Sequence, residues 1–274
     1  MTDELPCFGE ACTLCGLCVK KCPREALRIV VGKQLRDISS YRGLWVFVEH
    51  DENRVSDVSL ELLSTGRDLA GRCGFEMSAL LIGQRCEKLL EELKPYGVSR
   101  VCLVEHPLLS RYSSDGFTAA ICRAVNIFQP SIMLFGATPL GRDLAPRVAA
   151  RLGTGLTADC TELDVTSGGE LIQVRPAFGG NIMARIVCRN HRPQMATVRP
   201  GVMRKKIVQS PVDAVVERVD VSIARSEIRT RLIRRVYDHS GEGPNLEEAN
   251  IIVAGGMGMG SKQGIQLLKD VAAT

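Results

Sequence analysis

Aromatic residues are scarce in this sequence, at 4% of 274 residues with a single Trp. That scarcity disfavours a carbohydrate cleft or a base-stacking platform for nucleic acid. A strong excess of one charge is missing too. The formal net charge of +4 is too mild for a nucleic-acid binder, so no nucleic-acid partner is expected. No apolar run approaches the roughly 20 residues of a membrane-spanning helix. The opening MTDELPCFGE carries acids where a secretory signal carries basic residues ahead of an apolar core. The histidines His50, His106, His191 and His239 are scattered, with no metal spacing and no nucleophile–base pairing. No G-x-S-x-G, H-E-x-x-H or P-loop is present. Hydrophobic residues still reach 45%, enough to bury a real core. The length fits one large domain or about two ordinary ones.

Cysteine is what the sequence has in plenty: eleven in all, five of them Cys7, Cys12, Cys15, Cys18 and Cys22. From Cys12 to Pro23 the chain reads C-x2-C-x2-C-x3-C-P, the bacterial ferredoxin run. Such short steps wrap a tight loop around one centre and point several thiolates at it. Gly16 permits close backbone approach, and small loops offer N–H groups to cluster sulfurs. Pro23 ends the loop. A disulfide framework is disfavoured without a secretory signal. Zinc sites usually show two separated pairs of ligands. The run therefore predicts a [4Fe–4S] cluster on Cys12, Cys15 and Cys18, with either Cys22 or Cys7 as the fourth ligand. The other six, Cys73, Cys86, Cys102, Cys122, Cys160 and Cys188, lie among apolar neighbours and read as buried reduced thiols in a reducing compartment.

Beyond the cysteines, a turn or short helix and a strand are expected over 24–40, ending in a polar linker. Strands are expected over 44–48, 79–82, 101–104 and 132–135. Helices are expected over 58–73, 86–93, 117–128 and from Pro139 to Leu152. Thr138 is a good N-cap and Pro139 a good first helical residue, while Gly153 and Gly155 end that helix. Leu140, Leu144, Val148 and Leu152 form one apolar stripe. This alternation predicts an α/β fold with a doubly wound, mainly parallel sheet. Ligands then sit at the carboxyl ends of the strands, near Gly136–Thr138. Strands over 157–165, 171–174, 182–187 and 195–198 read as antiparallel additions, with one more strand at 214–221. A basic helix is expected over 227–237, with a solvated arginine face, then a hinge at 241–244. Last come a strand over 251–254, the glycine-rich turn 255–261 and a helix from Lys262. Such a turn can receive a dinucleotide phosphate through Gly255, Gly256, Gly258, Gly260 and Ser261, although its spacing is not G-x-G-x-x-G. A lone βα unit cannot bury its apolar face, so the chain is expected to stop inside a further domain.

Long stretches carry a family resemblance: GATPLGRDLAPRVAARLGTGLTADCTEL (136–163), VRPAFGGNIMA (174–184), HRPQMATVRPG (191–201) and NIIVAGGMGMGS (250–261). From about Tyr41 onward the chain resembles the alpha subunit of electron transfer flavoproteins, in the branch associated with flavin-based electron bifurcation. The run EACTLCGLCVKKCP ahead of it resembles the ferredoxin-type extension of some bacterial members. The resemblance implies a heterodimer with a beta subunit and FAD as cofactor, while the reduced cysteines already imply a cytoplasmic location. It implies exchange of electrons with a flavin dehydrogenase of the acyl-CoA or 2-hydroxyacid type, and with ferredoxin. It places Arg175 near a flavin ring, where a cation would stabilise negative charge. The chain departs from the family in having Met257 where an arginine is usual, in having one cysteine run where extended relatives often have two, and in ending before the family's main FAD motifs.

The domains implied are a cluster module over 1–40, the alpha subunit's first domain over 41–222, a linker over 223–244, and the start of a truncated FAD domain from 245. The expected role is an electron-transfer subunit with no catalytic residues of its own. Two other readings stand beside it. One is an interaction module with a structural zinc, which would be colourless. The other is an autonomous nicotinamide oxidoreductase using the final glycine turn, which would bind NADH tightly.

Overall fold

A computed structural model of the chain describes residues 17–23, 37–51, 53–211, 213–234, 249 and 251–274. The chain divides into two units, Met1–Arg231 and Leu232–Thr274. In the first, a one-turn helix α1 (Leu17–Lys20) is followed by β1 (Leu44–Val48), α2 (Asp57–Cys73), β2 (Met77–Gly83), α3 (Leu90–Leu93) and β3 (Arg100–Glu105). Next come α4 (Ser114–Phe128), β4 (Ile132–Gly136), α5 (Pro139–Leu152), β5 (Leu156–Cys160), β6 (Glu162–Val165), β7 (Leu171–Ala177), β8 (Ile182–Val187), β9 (Gln194–Val198) and β10 (Val215–Arg218). The second unit contributes α6 (Lys262–Ala272). Among the described residues, no helix is long and apolar enough to cross a membrane.

The main sheet has seven strands in the order β10-β3-β2-β1-β4-β9-β5, and every neighbouring pair is parallel. Apolar runs such as LWVFV suit such strands because both faces are covered. In β1, Leu44, Val46 and Val48 enter one core layer with Leu62, Leu63 and Leu69 of α2. Trp45 and Phe47 enter the other, with Phe117 and Ile121 of α4 and Leu144 and Val148 of α5. The sheet is thus doubly wound, as expected. A separate antiparallel sheet, β6-β7-β8, stands beside it. Gln194, fully buried at the start of β9, ties the two together. Its Oε1 accepts from the Leu171 N–H at 2.8 Å and its Nε2 donates to the Gly169 carbonyl at 2.9 Å.

Several local expectations need correction. The stretch 157–165 is two strands rather than one, and β5 and β9 join the main sheet in parallel instead of forming antiparallel additions. The break follows a register shift between Thr157 and Cys160, where Asp159 takes a φ of 62°. The expected helix over 86–93 is α-helical only at Leu90–Leu93, flanked by 3-10 turns at Cys86–Leu89 and Lys94–Tyr96. The basic helix from 227 is not formed over its described part, 227–234. Instead Ile228 is buried, and the Arg229 side chain and backbone N–H bond to the Asp115 carboxylate. Residues 251–254 form no strand, since the second unit offers none to pair with among its described residues. The hinge at 241–244 and most of the turn and strand expected over 24–40 lie outside the described residues.

Candidate functional site

The strand order reverses beside β1, with β2 on one side and β4 on the other. Crevices of this kind, at the carboxyl ends of the strands, are where doubly wound sheets place ligands. Here β1 delivers Glu49, and β4 delivers the turn Gly136-Ala137-Thr138 into α5. Thr138 caps α5 by accepting from the Gly141 N–H at 3.0 Å, Pro139 takes the first helical position, and Gly153 closes the helix at a φ of 64°. The Thr138 hydroxyl also donates to Glu49 Oε2 at 2.7 Å. Glu49 is only 6% exposed, and its Oε1 is buried with no hydrogen-bond partner. Burial pushes its carboxyl up to about 7, against the lowering pull of the Thr138 bond. A side chain at Gly141 would collide with the Gly136 carbonyl oxygen, so α5 starts tightly against the end of β4.

Next to this crevice, Asp159 in β5 gathers arginines. Arg199 Nη2 donates to its Oδ2 at 2.6 Å, and Arg142 Nη2 to its Oδ1 at 3.1 Å. Arg142 Nε also holds the Ala137 carbonyl at 2.8 Å. The hydrogen bond from Arg199, above all, keeps the Asp159 carboxyl below its ordinary value, and the charges of Arg142 and Arg175 act in the same direction. Arg175 sits in β7, opposite Ala184 of β8, and its side chain makes no ion pair or hydrogen bond among the described residues. Three guanidinium groups therefore surround one carboxylate, which leaves local positive charge. Beyond Arg175 the β7–β8 connection exposes Phe178 (82%) and includes Gly179 at a φ of 70°.

The glycine-rich turn has a mixed character. Met257–Met259 is a single 3-10 turn, and Ser261 caps α6 by accepting from the Gly264 N–H at 3.2 Å. A side chain at Gly255 would strike Leu268, whereas one at Gly256 or Gly258 would meet nothing within 4 Å. Among the described residues nothing demands glycine at those last two positions. The bare backbone leaves open space at both positions. Gly260 takes a φ of 62°, and Met257 is fully exposed.

Of the cysteines expected to hold a cluster, Cys18 lies exposed in α1 and Cys22 is half-buried just after it. Cys7, Cys12 and Cys15 lie outside the described residues. A thiolate set stepped along one short loop suits an iron–sulfur cluster. Among the remaining cysteines, Cys86, Cys102, Cys122 and Cys160 are buried as expected, while Cys73 and Cys188 are only half-buried. His50 Nε2 lies 3.8 Å from Cys86 Sγ, but also 2.9 Å from the Ile82 carbonyl. Burial pushes that thiol up to about 11, the opposite of an activated nucleophile.

Sequence reasoning passed over Glu49, which carries no local motif, and over Gln194, which falls inside the quoted stretch 191–201. Arg142, Asp159 and Arg199 fall inside the quoted family stretches and could have been singled out there.

Comparison with known proteins adds to this geometry. Residues 44–224 match the electron transfer flavoprotein domain, and residues 9–28 match the 4Fe-4S binding domain. The chain is 44% identical over 235 residues to the electron transfer flavoprotein subunit alpha of Thermoanaerobacterium thermosaccharolyticum, covering 86% of this chain and 71% of that protein. It is 43% identical to protein FixB of Rhizobium meliloti, over 88% of this chain and 69% of that one. It is 37% identical to the LctC subunit of the NAD(+),ferredoxin lactate dehydrogenase of Acetobacterium woodii, over 96% of this chain and 62% of that one.

Proposed function

Because the chain belongs to the electron transfer flavoprotein family, among its alpha and FixB subunits, we propose that it relays electrons between an N-terminal [4Fe–4S] cluster, flavins shared with a beta subunit, and a partner dehydrogenase. The observation that carries this reading is one chain bearing both an electron transfer flavoprotein domain and a complete ferredoxin cysteine run. Cys12, Cys15 and Cys18 hold the cluster, with Cys22 or Cys7 as the fourth ligand. The flavin supplies the redox chemistry when bound, and the chain supplies position and electrostatics.

In this reading Arg175 is the cation presented to the flavin of the complex. Arg142 and Arg199 are already engaged by Asp159, which leaves Arg175 with its charge unspent. A fixed cation there favours negative charge on a neighbouring ring and shifts its potential upward. The backbone at Gly256, Gly258 and Gly260, with Ser261 at the start of α6, receives a flavin phosphate. The first unit serves as the platform for the beta subunit. The lactate dehydrogenase and ferredoxin in the name of the Acetobacterium woodii relative favour a 2-hydroxyacid dehydrogenase over an acyl-CoA one as partner, with ferredoxin as the second exchange partner. Bifurcation of electrons between two acceptors is the mode this pairing suits.

The test is anaerobic purification of the chain with its beta subunit, followed by iron, acid-labile sulfide and zinc analysis. A brown protein with iron and sulfide, depleted in Cys15→Ser, is expected. Comparing Cys7→Ser with Cys22→Ser identifies the fourth ligand. A colourless complex containing zinc, or electron transfer unchanged in Cys15→Ser, overturns the reading.

A further inference from the structure

At the end of the main sheet opposite Glu49, where β1 and β9 begin, lies a cavity of about 330 Å³. Tyr41, ahead of β1, and Arg192, ahead of β9, meet Arg123 and Asn126 of α4 and Arg151 of α5 around it. Glu227 is its one carboxylate. Three guanidinium groups against one carboxylate leave two positive charges unmatched.

The hydrogen-bond inventory sharpens this. Arg123 Nη2 is spent on Glu227, at 3.0 and 2.9 Å, but Arg123 Nη1 is buried with no partner. Arg151 makes no ion pair or hydrogen bond through its side chain among the described residues. Arg192 turns Nη1 onto the carbonyls of Cys188, Arg189 and His191, at 3.1, 3.2 and 2.9 Å, and makes no ion pair among the described residues. Burial pulls the Arg192 pKa below its ordinary value against the raising charge of Glu170, so this cation sits half out of water with no carboxylate paired to it among the described residues. A buried guanidinium N–H without an acceptor is costly, and an anion in the cavity would give Arg123 Nη1 that acceptor while supplying Arg151 and Arg192 with a negative partner. Planar forks of this kind suit phosphate oxygens.

We propose that this cavity is a binding site for a phosphate dianion, free or as the monoester of a small organic molecule, held by Arg123, Arg151 and Arg192. Its volume lies at the lower end of small-ligand sites, about 300–1,000 Å³, enough for phosphate and a compact organic body. The site lies across the sheet from the flavin-directed arginines and does not depend on the electron-transfer reading.

The experiment is isothermal titration of the full chain with potassium phosphate, glycerol 3-phosphate and ribose 5-phosphate. It is run near pH 8, where phosphate is dianionic, with chloride of matched ionic strength as the blank. Saturable binding of at least one probe with a Kd below about 1 mM is expected. Arg151→Gln should weaken it about tenfold or more, the factor carried by one charged hydrogen bond. Arg151 is exposed and unpaired among the described residues, so this variant should fold normally. Arg54→Gln, which removes an equal charge on the loop before α2, should leave binding intact. Tighter binding of a monoester than of phosphate identifies an organic ligand, and the reverse order identifies free phosphate. No saturable binding by about 1 mM for any probe, or binding in Arg151→Gln within about threefold of the parent, overturns the proposal.

Discussion

Replacing Glu49 by Gln removes a titration that burial opposes, and the consequence can be worked out in sign and size. The folded chain holds this carboxyl at about 7, against an ordinary value of 4.5. Between those values the unfolded chain has released a proton that the folded chain retains. Stability from this group is therefore complete below 4.5, falls as pH rises through that window, and levels off above about 7. At about 1.4 kcal/mol per pH unit the whole loss is about 3 kcal/mol. Gln is neutral at every pH, has nearly the same shape as protonated Glu, and its carbonyl oxygen can accept the Thr138 hydroxyl. Glu49→Gln should match the parent near pH 5 and exceed it by about 2–3 kcal/mol near pH 8. Urea midpoints of both proteins, measured across that range, read this directly, because the difference between the curves cancels the groups they share. A difference that does not change with pH would refute the reasoning. So would a variant less stable than the parent in alkali.

Three further substitutions test the packing. Gly71→Ala lies inside α2 with nothing within 4 Å of the added methyl, so it should stabilise by about 0.5–1 kcal/mol in thermal or urea unfolding. Gly141→Ala drives a methyl into the Gly136 carbonyl at the start of α5, so it should destabilise by about 3 kcal/mol or more, or prevent folding. Asp115→Asn breaks the contact with Arg229, which holds the Asp115 carboxyl down at about 2. That contact's stability is present above the ordinary 3.8 and lost as pH falls toward 2. The variant should therefore unfold earlier than the parent at neutral pH, with the gap closing in acid and hydrogen exchange rising around 228–231.

Much of the sheet was legible because parallel strands with both faces buried are short continuous apolar runs, which the sequence shows plainly at 44–48 and 132–136. The start of α5 was legible for another reason, since its cap, first-turn proline and closing glycine are all local. What escaped depends on distant partners. Arg229 lies in a stretch whose spacing suits a helix, yet a carboxylate on α4 captures its backbone N–H and its side chain and draws the segment out straight. The run at 251–254 has strand composition, but a strand exists only with a neighbour to complete its ladder. Nor does local pattern state which sheet a strand joins. Thr157–Cys160 and Met195–Val198 alternate no differently from β7 and β8, and only the assembled sheet makes them parallel members of the larger one.

The sites obey the same division. The cysteine run is legible because one short loop supplies a whole ligand set. The arginine clusters are not, because Arg142, Asp159, Arg175 and Arg199 arrive on four separate elements, and Arg123, Arg151 and Arg192 arrive on three. Glu49 carries the argument a step further. In doubly wound sheets the helix start at the reversal of strand order usually offers N–H groups and a positive dipole to an anionic ligand. Here Pro139 has no N–H to offer, the Gly141 N–H is taken by Thr138, and the Glu49 carboxyl is packed against the same turn. The usual anion position is filled from within the chain. The unspent positive charge lies instead on the flanking arginines, with Arg175 the member of that group left without a partner among the described residues. On the proposed reading, a negatively charged ligand at the carboxyl ends of this sheet is held by Arg175 on β7 and not by the start of α5.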